Sequence, residues 1–201
     1  MNKPVAIVLH GPSGVGKDTV IDRLRERIDI HRPTSTTSRP PRPGEHDGKH
    51  YHFISPEEFL DRVERHEFLE RALVYGDLKG LERAEMERCL AMGKDIIIRT
   101  DIQGARRWRE LLEGAIFVFL TAEDEETLRK RLENRDTEDG ESLERRWSVL
   151  EEELADIPNN DYVLVNRRDQ VEETVDELIR IVDRERKNPA RQPLRLRTGS
   201  A

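Results

Sequence analysis

Apolar residues in this chain come in short unbroken runs, separated by longer stretches in which they recur every three or four positions. Val5 to Leu9 (VAIVL), Asp95 to Thr100 (DIIIRT), Ala115 to Leu120 (AIFVFL) and Tyr162 to Val165 (YVLV) have the continuous character of strands buried on both faces. Helical spacing follows the first run at Val20, Ile21, Leu24 and Ile28, and closes the pattern at Val171, Val175, Leu178, Ile179 and Val182. Further helices are predicted over Leu81 to Met92, ended by Gly93, over Ala105 to Leu112, and over Glu126 to Asn134. Pro56 to His66 reads as a short helix opened by Ser55 with Glu58 at capping-box spacing, and Glu67 to Tyr75 as a strand. Strands alternating with helices predict an α/β fold with a central parallel sheet flanked by helices.

Two stretches break the alternation. His31 to Phe53 is rich in Pro, Thr, Arg and Gly and reads as strand and exposed loop, not as core helix. From Lys187 the text KNPARQPLRLRTGSA has no periodicity, two prolines and basic residues without an acidic one, so residues 187–201 are expected to be a disordered tail. At 201 residues the chain suits one domain with small insertions. A net charge of −7 makes its summed field repel polyanions, so nucleic acid is not an expected partner and any anionic substrate must be drawn by local Arg and Lys clusters. The single cysteine, Cys89, lies with Leu81, Met86 and Leu90 on an apolar helix face and is expected to pack. A lone cysteine, a first strand starting close to Met1 and no membrane-length apolar stretch together predict a cytoplasmic protein with no membrane partner.

Between the first strand and first helix stands GPSGVGKDT: Gly11, Pro12, Ser13, Gly14, Val15, Gly16, Lys17, Asp18 and Thr19. Glycines there let backbone N–H groups turn inward on an anion, and Lys17 brings a positive charge to a helix N-terminus whose dipole also favours phosphate. The motif is a phosphate-binding loop with one departure. Asp18 occupies the place where a Ser or Thr hydroxyl ligates Mg²⁺. A carboxylate about 5 Å from a phosphate charge repels it by roughly 3 kcal/mol at an effective dielectric near 20. As a hard oxygen donor, the same carboxylate is expected to bind Mg²⁺ directly or through water.

A second constellation lies downstream: Ser35, Arg39 and Arg42 in STTSRPPRPGE, Tyr51 in DGKHYHF and Glu70 in EFLER. Over nearly the whole chain, from about Val5 to about Val182, GPSGVGKD, TTSRPPRPGE, DGKHYHF, EFLE, DIQGAR, RLENRDT and YVLVN resemble guanylate kinase. The resemblance implies a P-loop kinase fold within residues 1–186, an acceptor-binding insertion over about 33–83 and a lid over about 135–147. It implies transfer of the γ-phosphoryl group of ATP, with Mg²⁺ as cofactor, to GMP. Arg39, Arg42 and Tyr51 would hold the GMP phosphate, and Ser35 and Glu70 would contact guanine; Lys79 and Asp101 complete the implied GMP-binding set. Arg131, Arg135 and Arg146, in a helix that breaks into an acidic loop and resumes, would close with Lys17 on the transferred phosphoryl.

Residue chemistry agrees with this assignment. Two arginines braced by prolines make a positive fork suited to bidentate phosphate binding. An ionised Glu accepts from adjacent guanine donors that adenine lacks. Phosphoryl transfer to an existing phosphate needs positioning and positive charge, not a general base.

Lys79, Leu81 and Arg99 depart from the family pattern, where Tyr, Ser or Thr, and Asp are usual. Lys79 can still bind phosphate, Leu81 cannot donate to guanine O6, and Arg99 either donates to the base or pairs with Glu70. Two other readings remain: a sugar-phosphate kinase of the ribose bisphosphate kinase type, which can carry GKD, and a non-catalytic module that binds a phosphorylated partner. Whether the chain is a monomer or a homo-oligomer is left open.

Overall fold

The structure, a computed structural model, describes residues 3–74, 76–124, 126–129 and 143–197. Its main sheet has the order β10-β9-β1-β7-β2, built from β1 (Ala6–His10), β2 (Ile30–His31), β7 (Asp95–Arg99), β9 (Ile116–Thr121) and β10 (Tyr162–Val165). Every pairing in it is parallel, with Ile7 opposite Ile97 on one side and opposite Ile116 on the other. Burial on both faces is what the unbroken apolar runs require. Side chains alternate along β1, so Val5, Ile7 and Leu9 join one core cluster while Ala6 and Val8 join another. The first cluster is covered by α1 (Lys17–Arg27) and α6 (Val171–Lys187), through Val20, Ile21 and Leu24 and through Val175, Leu178 and Val182. The second is covered by α3 (Arg83–Ala91) and α4 (Ile102–Leu111), through Met86, Cys89, Trp108 and Leu111.

Because β1 lies between β7 and β9, the chain leaves its C-terminal end at a switch point of the sheet, where such folds open a crevice for ligands. The glycine loop and α1 begin there. A second sheet has the order β4-β3-β6-β5 and meets the main layer where Glu70 bonds to Trp108 and Thr100. It consists of β3 (Thr36–Thr37), β4 (His52–Phe53), β5 (Phe68–Val74) and β6 (Asp77–Glu82), with α2 (Pro56–Glu64) between β4 and β5. The expected Ser55 cap is formed, its Oγ accepting from Glu58 N at 3.1 Å.

Several boundaries differ from the sequence reading. Leu81 belongs to β6, not to the following helix, because it faces the core beside Leu69 while Gly80 lets the strand pass within contact of Phe68. Residues 126–129 of the helix expected over Glu126 to Asn134 are helical; the rest lies outside the described residues. After them, α5 spans Leu143–Ala155.

The larger correction concerns the C-terminal segment, which is packed up to residue 197 where disorder was expected. Arg191 is buried, donating to the carbonyls of Glu185, Lys3, Pro4 and Gly114. It thus gives the half-buried Lys3 and Pro4 carbonyls ahead of β1 a charged donor, and adds to the bond that the Glu185 carbonyl at the end of α6 already takes from Asn188 N. Beyond it, β11 (Arg195–Leu196) pairs antiparallel with β8 (Leu112–Glu113), and Leu194 and Leu196 pack on the second cluster. Neither two-residue strand carries a periodic signal, which is why composition alone misleads there.

Candidate active site

The glycine loop is shaped by close approaches. Gly11 has φ +138° and a Cβ there would lie 2.1 Å from Leu120 O; Gly16 has φ +98° and a Cβ would lie 2.6 Å from Asn166 Nδ2. Pro12 and Val15 are buried beneath the loop, while Ser13, Gly14, Asp18 and Thr19 are exposed at its mouth. Asn166 ties the loop to the end of β10 by donating from Nδ2 to Val15 O at 2.8 Å. Thr174 Oγ1 in turn donates to Asn166 Oδ1 at 3.2 Å, so α6 holds the side chain that holds the loop. Sequence reasoning gave Asn166 no such role; its signals were its place just past an apolar run and at the end of the family-like YVLVN.

Lys17 is buried and its ammonium turns back on its own loop, donating to the carbonyls of Gly11 and, at 3.0 Å, Pro12. Burial first, and the Arg99 guanidinium second, lower its pKa, while Glu153 and Asp18 act against them. Glu153, buried on α5, is itself pushed up by burial. A phosphate arriving at the loop would give the ammonium the anionic partner that these groups supply only in part.

At the loop mouth Arg99, the last residue of β7, reaches Asp18 with Nε 3.1 Å from Oδ1, and Arg32 stands 3.6 Å from the same oxygen. Arg99 thus pairs with Asp18 in the first turn of α1 and not with Glu70, whose partners are Trp108 and Thr100. Asp18 offers a hard carboxylate beside the phosphate loop, a donor type that fits Mg²⁺. Asp101 is committed elsewhere, capping α4 by accepting from Gly104 N at 2.9 Å.

In the second sheet Arg39, Tyr51 and Lys79 come together. The Arg39 guanidinium lies 5.3 Å from the Tyr51 ring centre and 5.6 Å from that of Phe53, and Lys79 Nζ lies 5.7 Å from the Tyr51 ring. Arg39 is buried and makes a bidentate pair with Glu45, both bonds 2.6 Å. Hydrogen bonds from Arg39 and from Arg42 N hold the Glu45 carboxyl down at about 2. The Arg39 guanidinium alone presents two parallel N–H donors here, and the Glu45 carboxylate engages both. Arg42 is exposed, so the structure does not bring both guanidiniums into one buried fork. Ser35 is half-buried on the strand edge, its carbonyl accepting from His52 N at 2.9 Å.

Glu70, on β5, faces the core sheet. Its Oε2 accepts from Trp108 Nε1 at 2.6 Å and from Thr100 Oγ1 at 3.3 Å. Burial raises its pKa to about 7 against these two bonds, which pull it down. Trp108 was legible as a core residue of α4 but not as a partner of Glu70. Cys89 behaves as expected, buried, with its thiol pushed up to about 12 chiefly by burial. Arg131 and Arg135 lie outside the described residues, as does the side chain of Arg146 on α5; with them lies residues 135–142 of the expected lid.

Comparison with known proteins decides the family. The guanylate kinase family model matches residues 3–185. The chain belongs to the guanylate kinase family. It is 48% identical over 186 residues to the chloroplastic/mitochondrial guanylate kinase 2 of Oryza sativa subsp. japonica, covering 92% of this chain and 65% of the rice protein. A guanylate kinase of Clostridium tetani is 38% identical, with 92% of this chain and 88% of the other covered. The crystal structure of a guanylate kinase from Anaplasma phagocytophilum superposes with TM-score 0.70 at 30% identity, covering 95% and 90% of the two chains. A shikimate kinase from Bacteroides thetaiotaomicron, at TM-score 0.50 and 18% identity over 89% of this chain and 98% of its own, shares the fold. Among the described residues no helix is long and apolar enough to cross a membrane.

Proposed function

We propose that this protein transfers the γ-phosphoryl group of MgATP to the phosphate of GMP, giving ADP and GDP. The observation that supports the reading is that the fold gathers two separate basic groups, Lys17 on the glycine loop and Arg39 with Lys79 around Tyr51 on the second sheet, each suited to an anion. Membership of the guanylate kinase family supports the same pair of substrates.

The donor phosphates lie in the loop, where backbone N–H groups and the α1 N-terminus receive them and Lys17 exchanges its carbonyl partners for phosphate oxygens. Asp18 would hold Mg²⁺, whose positive charge would offset that of the donor phosphates. Arg39, with Arg42, Tyr51 and Lys79, receives the GMP phosphate; Glu70 and Ser35 read guanine. Glu70 accepts from N1–H and the 2-amino group, and a base lacking those donors leaves its Oε1 without a donor. Arg131, Arg135 and Arg146 complete the positive surround of the transferred group. GMP phosphate is already a nucleophile, so no general base is needed. The protein works in the cytoplasm on these small-molecule substrates.

Incubation with MgATP and GMP, followed by anion-exchange separation of nucleotides, tests the reading. ADP and GDP in equal amounts are expected. ADP formed only when ribose 1,5-bisphosphate replaces GMP would transfer the assignment to a sugar-phosphate kinase, and no turnover with either acceptor would leave a binding module.

A further inference from the structure

We infer that Trp108, with Thr100, is the positioning residue that sets Glu70 for guanine and so controls acceptor choice from outside the acceptor pocket. The inference deepens the proposed function and rests on Glu70 reading the base.

Glu70 and Trp108 belong to different layers: Glu70 to the second sheet, Trp108 to the second turn of α4 on the main sheet. Trp108 is fully buried, so its ring has one place to be, and its indole N–H must find an acceptor there. That acceptor is Glu70 Oε2 at 2.6 Å. Thr100, buried at the end of β7, donates to the same oxygen at 3.3 Å. Both bonds fall on Oε2, so Oε1 keeps its lone pairs for an incoming donor while the rotamer is fixed.

Packing under the carboxylate is equally specific. A Cβ on Gly104 would lie 1.7 Å from Thr100 Oγ1 and 2.8 Å from Glu70 Oε2, so α4 can bring Trp108 this near only because its first turn carries no side chain at that point. Asp101 caps that same turn through Gly104 N. The segment TDIQGARRW thus acts as one unit in which a capped turn, a hydroxyl and an indole hold one carboxylate oxygen. Charged and titratable influence on Glu70 comes from Asp101, which opposes its ionisation, against the two donors, which favour it.

Trp108→Phe keeps the ring and removes the donor. The expected result is a rise of about tenfold in KM for GMP, the equivalent of one charge-assisted hydrogen bond, with KM for ATP and kcat within about twofold. The pH at which GMP binding is half lost should move upward, because the carboxylate has lost a donor that favours its charged form. The preference for GMP over IMP, which lacks the 2-amino group, should narrow. Thr100→Val should act in the same direction but less, and guards against a Trp108→Phe protein that fails to fold. Glu70→Gln separates the two levels of argument. If Glu70→Gln narrows the GMP over IMP preference while folded Trp108→Phe and Thr100→Val leave KM, preference and pH profile unchanged, the positioning role is overturned and the base-reading role stands. If Glu70→Gln itself leaves the preference unchanged, the base-reading role falls and takes the inference with it.

Discussion

Arg99 Nε lies 3.1 Å from Asp18 Oδ1, joining the end of β7 to the first turn of α1 across the mouth of the phosphate loop. Both side chains remain substantially exposed, 41% and 56%, so the pair is worth about 1 kcal/mol or less to stability. Its consequence is for charge at the site. Asp18 brings a negative charge to a place built for phosphate, and Arg99 offsets it while leaving the second carboxylate oxygen for a cation.

Competition between Arg99 and Mg²⁺ for Asp18 gives the first prediction. Asp18→Ser should weaken the dependence of rate on free Mg²⁺, raising the half-saturating concentration several-fold, and Arg99→Ala should lower it. Initial rates at fixed ATP across a Mg²⁺ series decide the matter. An unchanged Mg²⁺ curve in Asp18→Ser would falsify the ligand role.

Arg39 is predicted to tolerate no replacement by Lys. A lysine keeps the charge but cannot present two parallel N–H donors, so Arg39→Lys should raise KM for GMP by about tenfold and Arg39→Ala by about a hundredfold, with KM for ATP unchanged. Steady-state kinetics with each substrate varied in turn measures this; equal effects on both constants would point to general loss of structure.

A pH dependence follows from Glu70, whose pKa is raised to about 7 chiefly by burial. In the proposed role its ionised form accepts from guanine, and that form is lost as pH falls through about 7. KM for GMP should therefore rise toward acid pH, approaching tenfold per unit well below 7, and the profile should flatten in Glu70→Gln. The linkage to folding has the opposite direction: a carboxyl whose folded pKa lies above its unfolded value binds a proton in the folded state, so this group's contribution to stability declines as pH rises from about 4.5 to about 7.

Arg191→Ala is predicted to destabilise the fold by about 2 to 4 kcal/mol, because the carbonyls at Lys3, Pro4 and Glu185 lose a charged donor together. Urea unfolding with an unchanged m-value gives the figure. A loss below about 0.5 kcal/mol would mean the segment is not held by this residue.

The parts of the molecule legible in the sequence are those where one local rule dominates. Apolar runs gave β1, β7 and β9 because their central residues are buried on both faces, and also β10, an edge strand whose Val163 is 44% exposed; Ser55 with Glu58 located the start of α2 because a cap has fixed spacing. The glycine loop showed itself through strand, loop and helix in order. What escaped depends on a single side chain meeting a distant one. Arg191 looks like any basic residue in a proline-rich tail until its carbonyl partners are in place. Trp108 fits the apolar face of α4 so well that its N–H goes unnoticed, although a buried indole must have an acceptor. Arg99 was recognised as unusual, yet its partner sits 81 positions away in sequence and no periodicity joins them.

The proposed function requires two nucleotide phosphates to be received in facing seats of one crevice. A compound joining adenosine and guanosine through a chain of five phosphates measures this directly by its inhibition pattern. Competition with both ATP and GMP is predicted, at an affinity well above that of either nucleotide alone and reduced by Arg39→Ala. Competition with ATP alone, unaffected by Arg39→Ala, would contradict the existence of the second seat.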